Sequence, residues 1–380
     1  MTSIKSAARL YDMDWLRVTA VLLLLPFHTA MIFVTWNFHI KNDVLSPGLT
    51  AFNMFLNMWH MPLLFLLSGG GTFCALGFRS GKAYAVERLQ RLGVPLLFGM
   101  LVVIPPQVYT ERILKGQFHG SYMSFYPHVF SAPYPEGNLS WHHLWFMAYL
   151  LVYSLIVLPL FMRLRGKSAG TAEKFVAYFS KGGRIFMLAI PLMFSELCLR
   201  PFYPGGNQNL IADWANFLYY IMYFIFGYMI YSDVRLREAA ARNGKLALII
   251  GAVIASTFLL LEFVIKPDVN SIALKLFAVV IWAFNGWCWV IGLCGVASRK
   301  LLFTNKSLKY AVDAALPFYI MHQTFIILIG ARAIKLDQGI PVKFTVTLVL
   351  SFIVTMAAYE VVRRIGVLRF LMGMRKMKRA

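Results

Sequence analysis

Acidic residues are scarce in this sequence, and so is charge of any kind. The 380 residues include 16 Asp and Glu against 37 Lys and Arg, and charged residues make up only 14% of the chain. A soluble domain of ordinary composition carries about 25% charged residues. The low charge argues against a soluble protein. The net charge of +21 does not indicate a nucleic-acid partner, because the basic residues lie between long apolar runs.

Metal-binding and nucleotide-binding motifs are also missing. The four cysteines show neither metal-ligand spacing nor a disulfide framework, and we interpret them as small hydrophobic residues. No Walker loop or dinucleotide glycine fingerprint occurs, which disfavours a nucleotide-hydrolysing pump. The sequence also contains no internal repeat of the kind that would favour a transporter. We therefore expect no metal site and no permanently bound cofactor.

Long hydrophobic runs dominate what is present. Hydrophobic residues make up 59% of the chain, and the mean hydropathy is +0.65. Runs of 18 or more apolar residues predict membrane-spanning helices. The sequence thus predicts an all-α, polytopic membrane protein with about ten transmembrane helices, near residues 15–37, 49–73, 93–110, 142–163, 184–200, 214–232, 245–265, 272–298, 312–331 and 343–362.

The positions of the basic residues predict the orientation. If the N-terminus is cytoplasmic, the cytoplasmic segments hold 28 of the 37 Lys and Arg residues and the outer segments hold 8. This bias follows the positive-inside rule and places both termini in the cytoplasm. We expect a multi-pass protein of the cytoplasmic (inner) membrane that contacts lipid. Residues 1–380 form one transmembrane domain with a basic tail at about 363–380.

Ionisable residues in the first predicted span are the leading catalytic candidates. Asp14 and Arg17 are three residues apart and can pair on one helical face. His28 follows Arg17 by eleven residues, which places it on the same face about 16 Å further along the axis. Intramembrane ionisable groups are costly and tend to be functional. A histidine can act as base or nucleophile near neutral pH, although helix packing is the simpler explanation for His28 taken alone.

Further candidates lie in other spans and loops. Arg88 and Arg91 place two guanidinium groups on one helical face before the third span, where they suit the phosphates of acyl-CoA. Candidate substrate-binding residues are polar groups within or beside spans, each of which can alternatively serve helix packing: His60, Ser68, His142, His143 and His322.

Six segments of the chain resemble the acyltransferase 3 family of membrane O-acyltransferases and, within it, the periplasmic-glucan succinyltransferases. Its most specific features are Arg17 and His28 with ten residues between them, followed by the Arg-x-x-Arg of Arg88 and Arg91. The resemblance implies a ten-helix domain, an acyl-CoA donor inside and a glycan acceptor outside. It also implies that His28 is the key catalytic residue and that Arg17, Arg88 and Arg91 serve the donor. The matching segments are 11–33, 57–73, 86–97, 142–151, 316–325 and 359–371.

The sequence therefore predicts an acyl-CoA-dependent O-acyltransferase that moves an acetyl or succinyl group to a hydroxyl of an extracytoplasmic glycan or lipid-linked sugar. His28 would be the base, with Arg17 and Asp14 assisting it. The alternative is a proton-coupled secondary transporter that uses His28 and His322 as relay groups. A purely structural scaffold would leave the arginine and histidine pattern unexplained.

Overall fold

Helices make up nearly all of the regular structure of the chain. The computed structural model describes residues 9–165, 169–205, 208–267 and 271–375. Across these ranges no strand forms, and a single isolated bridge joins Pro133 and Leu139. The predicted all-α class is confirmed. Part of the predicted basic tail, residues 376–380, lies outside the described ranges, as do residues 1–8.

Thirteen helices make up the architecture of the described residues. In chain order they are α1 (Tyr11–Ala30), α2 (Pro47–Leu76, interrupted at residues 58 and 59), α3 (Gly81–Leu114), α4 (Trp145–Ile156), α5 (Leu158–Arg165), α6 (Ala169–Phe179), α7 (Ala189–Leu199), α8 (Trp214–Ser232), α9 (Val234–Ile265), α10 (Ile272–Lys300), α11 (Lys306–Ala333), α12 (Ile340–Val362) and α13 (Gly366–Leu371). Short helical turns cover Tyr122–Phe125, Tyr126–Phe130, His142–Leu144 and Arg184–Leu188.

Six of these helices are long and apolar enough to cross a membrane, namely α2, α3, α9, α10, α11 and α12. The number rises to seven if the segment His142–Ile156 and α5, which meet at a bend of 46°, count as one span. These agree with seven of the ten predicted spans. The chain is therefore a multi-pass helical membrane protein, whereas a total of ten spans and the cytoplasmic termini stay predictions.

The other three predicted spans coincide with helices that are shorter or more polar. The first is α1, whose first turn contains Asp12 and Asp14. The fifth is the short turn Arg184–Leu188 followed by the 11 residues of α7. The sixth is α8, in which five tyrosines interrupt the apolar run.

The described residues form two compact units, each assembled from three chain segments. Unit 1 is Met1–Ala20, Met54–Val86 and Val152–Leu308. Unit 2 is Val21–Asn53, Glu87–Leu151 and Lys309–Ala380. Helix α1 begins in unit 1 and ends in unit 2.

Unit 1 is held together by close helix packing at small residues. A Cβ atom added at Gly69 of α2 would collide with the carbonyl oxygen of Phe224 on α8, and one added at Gly227 would collide with that of Leu66. Such close approach of helix backbones is typical of membrane interfaces, where dispersion contacts replace the hydrophobic effect as the driving force. Gly69 and Gly227 therefore have a packing role.

Unit 2 contains irregular turns of α3 whose backbone groups find partners elsewhere. The π-helical turn Gly99–Val103 ends at Val103, whose carbonyl oxygen accepts a hydrogen bond from Thr324 Oγ1 of α11 at 2.8 Å. Thr324 Oγ1 in turn accepts from Gln107 Nε2 at 2.7 Å. Polar groups buried in a membrane must find their partners within the protein. These bonds therefore fix how α3 and α11 are rotated about their axes relative to each other. That rotation positions the neighbouring residue His322.

Candidate active site

His28, near the end of α1, forms a hydrogen-bonded pair with His322 of α11, and both belong to unit 2. His28 Nδ1 lies 2.9 Å from His322 Nε2. On its other side, His322 Nδ1 lies 2.8 Å from the carbonyl oxygen of Tyr319. Phe318 stacks on the His322 ring with centroids 5.8 Å apart and an interplanar angle of 5°. The pairing brings together residues that are 294 positions apart in the sequence.

The partners of the two rings define their neutral tautomers. A carbonyl oxygen only accepts, so His322 Nδ1 carries the hydrogen and donates to Tyr319. His322 Nε2 then has the lone pair and accepts from His28 Nδ1–H. This assignment follows from the hydrogen-bond network. It leaves the lone pair of His28 on Nε2, which is the atom required for a general base or a nucleophile.

A third imidazole, His143, completes what we call the histidine cluster: His28, His143 and His322. The His143 ring centroid lies 5.3 Å from that of His322 and 6.4 Å from that of His28. His143 Nε2 donates to the carbonyl oxygen of Ile320 at 3.0 Å, so its Nδ1 has the lone pair. His143 Nδ1 is buried and has no hydrogen-bond partner among the described residues. A ligand hydroxyl would satisfy it.

Within the described ranges, no three His, Cys, Asp or Glu side chains are arranged to hold a metal ion.

A second group of side chains, the carboxylate cluster, surrounds Glu111 at the end of α3. The Glu111 carboxylate is fully buried and accepts from three donors. His39 Nδ1 and Lys115 Nζ each lie at 2.6 Å, and Tyr134 OH lies at 3.0 Å. Burial and the adjacent carboxylate raise the pKa of the Tyr134 phenol to about 12. Glu111 thus ties two loops to α3, the one that follows α1 and the one that precedes α4.

His142 belongs to the carboxylate cluster and shows backbone strain. Its ring packs edge-on against His39, with centroids 4.3 Å apart, and against Tyr134 at 4.9 Å. Its φ angle is 38°, a left-handed conformation that is uncommon for a residue with a Cβ atom. Strained backbone persists only where the surroundings enforce it, and such residues concentrate at functional sites. Among the described residues, no partner satisfies the buried His142 Nε2.

Two pairs of adjacent residues connect the clusters. His142 of the carboxylate cluster directly precedes His143 of the histidine cluster. Likewise, His39 follows Phe38, whose ring lies nearly parallel to that of His28 at a centroid distance of 6.4 Å and an angle of 13°. The two clusters are therefore joined through the backbone at residues 38–39 and 142–143.

The two predicted donor arginines lie at the opposite end of α3 from Glu111. Both are partly buried. Arg91 Nη1 lies 3.5 Å from Glu87 Oε1, and Arg91 Nε donates to the carbonyl oxygen of Gly373 at 3.1 Å. Arg88 directly precedes the π-helical turn Leu89–Gly93, and Arg91 lies within that turn.

The remaining predicted residues belong to unit 1. Arg17 Nη1 lies 3.8 Å from Asp14 Oδ1, so the predicted pair forms, and Asp14 also accepts from Arg9 Nε at 2.6 Å. His60 is buried, and its Nε2 donates to the carbonyl oxygen of Ala20 at 2.6 Å. Ser68 Oγ donates to Leu64 within its own helix at 2.7 Å. The bonds of His60 and Ser68 fit the packing alternative, and their substrate-binding role stays a prediction.

The structure therefore brings together three of the predicted histidines and adds residues that the sequence did not single out. Glu111 and His39 were missed because one lies at a predicted span end and the other in a loop. The available signal was weak: Glu111 precedes Lys115 by one helical turn, which normally indicates a surface ion pair.

Residues 10–360 of the chain match the family described as an acyltransferase domain. Glucans biosynthesis protein C from Salmonella heidelberg (strain SL476) is 24% identical over 387 aligned residues, which cover 96% of this chain and 94% of that protein. The proteins of the same name from Salmonella typhi and Salmonella typhimurium show the same identity and coverage. No solved structure matches the chain.

Proposed function

Because the chain belongs to the acyltransferase 3 family, we propose that it is a membrane O-acyltransferase of the inner membrane. It moves an acetyl or succinyl group from cytoplasmic acyl-CoA to a hydroxyl of an extracytoplasmic glycan, such as a periplasmic glucan or a lipid-linked sugar. The glycan acceptor is suggested by the name of the relatives. The observation that carries the proposal is the His28–His322 pair, which leaves a lone pair on His28 Nε2.

His28 acts as the general base. Its Nε2 takes the proton of the acceptor hydroxyl while the hydroxyl oxygen attacks the carbonyl carbon of the acyl thioester. The new C–O ester bond forms, the C–S bond breaks, and the departing CoA thiolate recovers the proton from His28. Positioned proton transfer of this kind contributes about 10²–10⁴-fold in rate. In a variant of this chemistry, His28 Nε2 itself carries the acyl group transiently.

His322 is a positioning residue for this chemistry. Once His28 Nε2 has accepted a proton, the Nδ1–H bond to His322 Nε2 becomes charge-assisted and about twice as strong as a neutral bond. The bond thus strengthens as the reaction proceeds, which favours the transition state over the ground state. His143 Nδ1 accepts a hydrogen bond from a second hydroxyl of the sugar. His142 directly precedes His143 in the sequence. Both histidines then contribute to acceptor binding.

Arginines hold the donor. Arg88 and Arg91 bind phosphate groups of CoA, and Arg17, which pairs with Asp14, stays a predicted donor residue. Guanidinium groups suit this task because they present several N–H donors in a planar array that matches phosphate oxygens. Changing Arg88 to Ala should therefore raise the KM for acyl-CoA more than the KM for the acceptor. Equal changes in both would contradict the donor role.

The decisive experiment is radiolabelled acyl transfer in membrane vesicles that contain the wild type, His28→Ala or His119→Ala. Acetyl-CoA and succinyl-CoA are supplied separately, and label is counted in extractable glycan. His119 is a matched control because its side chain is exposed in a loop of the same unit. We expect label with one donor, retained in His119→Ala and reduced at least 100-fold in His28→Ala. Normal transfer by a folded His28→Ala variant would refute the proposal.

A further inference from the structure

The segment that follows α12 folds back onto the beginning of α3. Gly373 has a φ angle of 68°, and a Cβ atom there would lie 2.6 Å from the carbonyl oxygen of Arg91 and 2.9 Å from Pro95. Only glycine combines that backbone conformation with so close an approach. The carbonyl oxygen of Gly373 accepts the hydrogen bond from Arg91 Nε at 3.1 Å. This end of the chain is therefore seated on the residues that carry the donor arginines.

Arg369 holds the seated segment in shape. Its Nη1 donates to the carbonyl oxygen of Arg363 at 3.0 Å, and its Nη2 donates to that of Arg375 at 2.7 Å. The side chain thus links the start and end of the segment through two backbone acceptors. The bond from Arg369 Nη2 fixes the backbone of Arg375, whose side chain is exposed.

This arrangement concentrates positive charge. Arg375 lies two residues beyond Gly373, whose carbonyl oxygen contacts Arg91, and Arg88 lies three residues before Arg91 on α3, so both guanidinium groups repel that of Arg91. Glu87, 3.5 Å from Arg91, supplies the neighbouring negative charge. Three guanidinium groups and one carboxylate leave a net charge of +2 in a partly buried place. Like charges disfavour each other most where water is partly excluded. A phosphate-bearing ligand offsets that repulsion and accepts the N–H donors.

We propose that Arg375 joins Arg88 and Arg91 in a three-arginine phosphate site, which we call the C-terminal phosphate site, and that it binds a phosphate of the nucleotide end of the acyl donor. The inference rests on the proposed function, because it takes the donor to be acyl-CoA. The shared chemistry is a phosphate ester, which an anionic lipid headgroup also presents.

Arg364 provides a matched control on the same segment. Its side chain is 77% exposed and pairs with Glu360 at 3.3 Å. Removing it deletes one positive charge from the C-terminal region without touching the proposed site. The full-length protein is purified in three forms, wild type, Arg375→Ala and Arg364→Ala, with Arg375→Lys as a variant that keeps the charge.

The test measures the affinity of each form for free CoA and for 3′-dephospho-CoA in nanodiscs of phosphatidylcholine. We expect Arg375→Ala to weaken CoA binding about threefold to tenfold, because it removes one exposed charge-assisted contact. Arg375→Lys keeps the charge and should recover part of this affinity. Arg364→Ala should bind as the wild type does. A difference that disappears with 3′-dephospho-CoA assigns the contact to the 3′-phosphate.

The other outcomes separate this inference from the proposed function. Equal CoA affinities of Arg375→Ala and Arg364→Ala, with CoA bound by the wild type, would overturn the inference and leave the proposed function standing. If the wild type binds no CoA, both fail. In a parallel measurement, a loss of co-purified phosphatidylglycerol in Arg375→Ala, without loss of CoA affinity, would assign the site to lipid headgroups and overturn the nucleotide assignment.

Discussion

Replacing His322 tests the central feature of the site, the hydrogen bond that its Nε2 accepts from His28. In His322→Leu the acceptor is lost, and the His28 imidazolium that forms during transfer loses a charge-assisted bond. Such bonds are worth about 1.5–3 kcal/mol, against about 0.5–1.5 kcal/mol for the neutral bond in the ground state, and the difference of about 1–1.5 kcal/mol corresponds to a fall in kcat of about 5–13-fold. The KM values should change little, because the bond strengthens only in the transition state. In His322→Gln, the amide oxygen restores an acceptor and should recover part of the rate.

The assay is steady-state acyl transfer with varied donor and varied acceptor, on protein whose folding is checked by size-exclusion chromatography. Thr347→Val is the matched control, since Thr347 is also buried in unit 2 and its hydrogen bond to the carbonyl oxygen of Lys343 stays within α12. A double-variant cycle provides the refutation. If His322 acts through His28, adding His322→Leu to His28→Ala costs nothing further in rate. A double variant that is slower by the full factor would show that His322 acts independently.

Three further predictions concern stability. Glu111→Gln removes a buried charge with three donors and should lower the free energy of unfolding by about 3–5 kcal/mol, seen as a lower Tm. The Tyr134 phenol has a folded-state pKa of about 12 against an ordinary value of 10, so its contribution to stability is fully present below pH 10 and is lost as the pH rises through 12. Gly69→Val should greatly reduce the yield of folded protein, because its side chain meets the carbonyl oxygen of Phe224.

Each of these three stability predictions has an outcome that would contradict it. For Glu111, a Tm that is unchanged from wild type would contradict the role of the buried carboxylate. For Tyr134, the comparison is Tyr134→Phe between pH 9 and 11, where the wild type should lose more stability than the variant; parallel curves would argue against the raised pKa. For Gly69, the control is Gly170→Ala, since no atom lies within 4 Å of a Cβ added at Gly170. Equal yields would contradict the packing argument.

The sequence predicted the class of molecule because hydrophobicity and helix periodicity are local properties. The all-α class is confirmed, and seven of the predicted spans coincide with helices suited to cross a membrane, if the bent segment that begins at His142 counts as one. The pairing of Asp14 with Arg17 was also predictable, since residues three apart share a helical face. Local pattern could not show that Gly99–Val103 would form a π-helical turn.

What the sequence determined by itself is a helical membrane protein, its family and the presence of His28, Arg88 and Arg91 on particular helices. Only the tertiary structure decided how the imidazoles are arranged and what they contact. His28 meets His322 across 294 residues, and His39 meets Glu111 across 72. Such contacts depend on how packed helices are rotated about their axes, which side chains elsewhere in the chain determine. The lone pair lies on His28 Nε2 because a carbonyl oxygen of α11 fixes the tautomer of His322. The sequence of α1 alone therefore could not predict it.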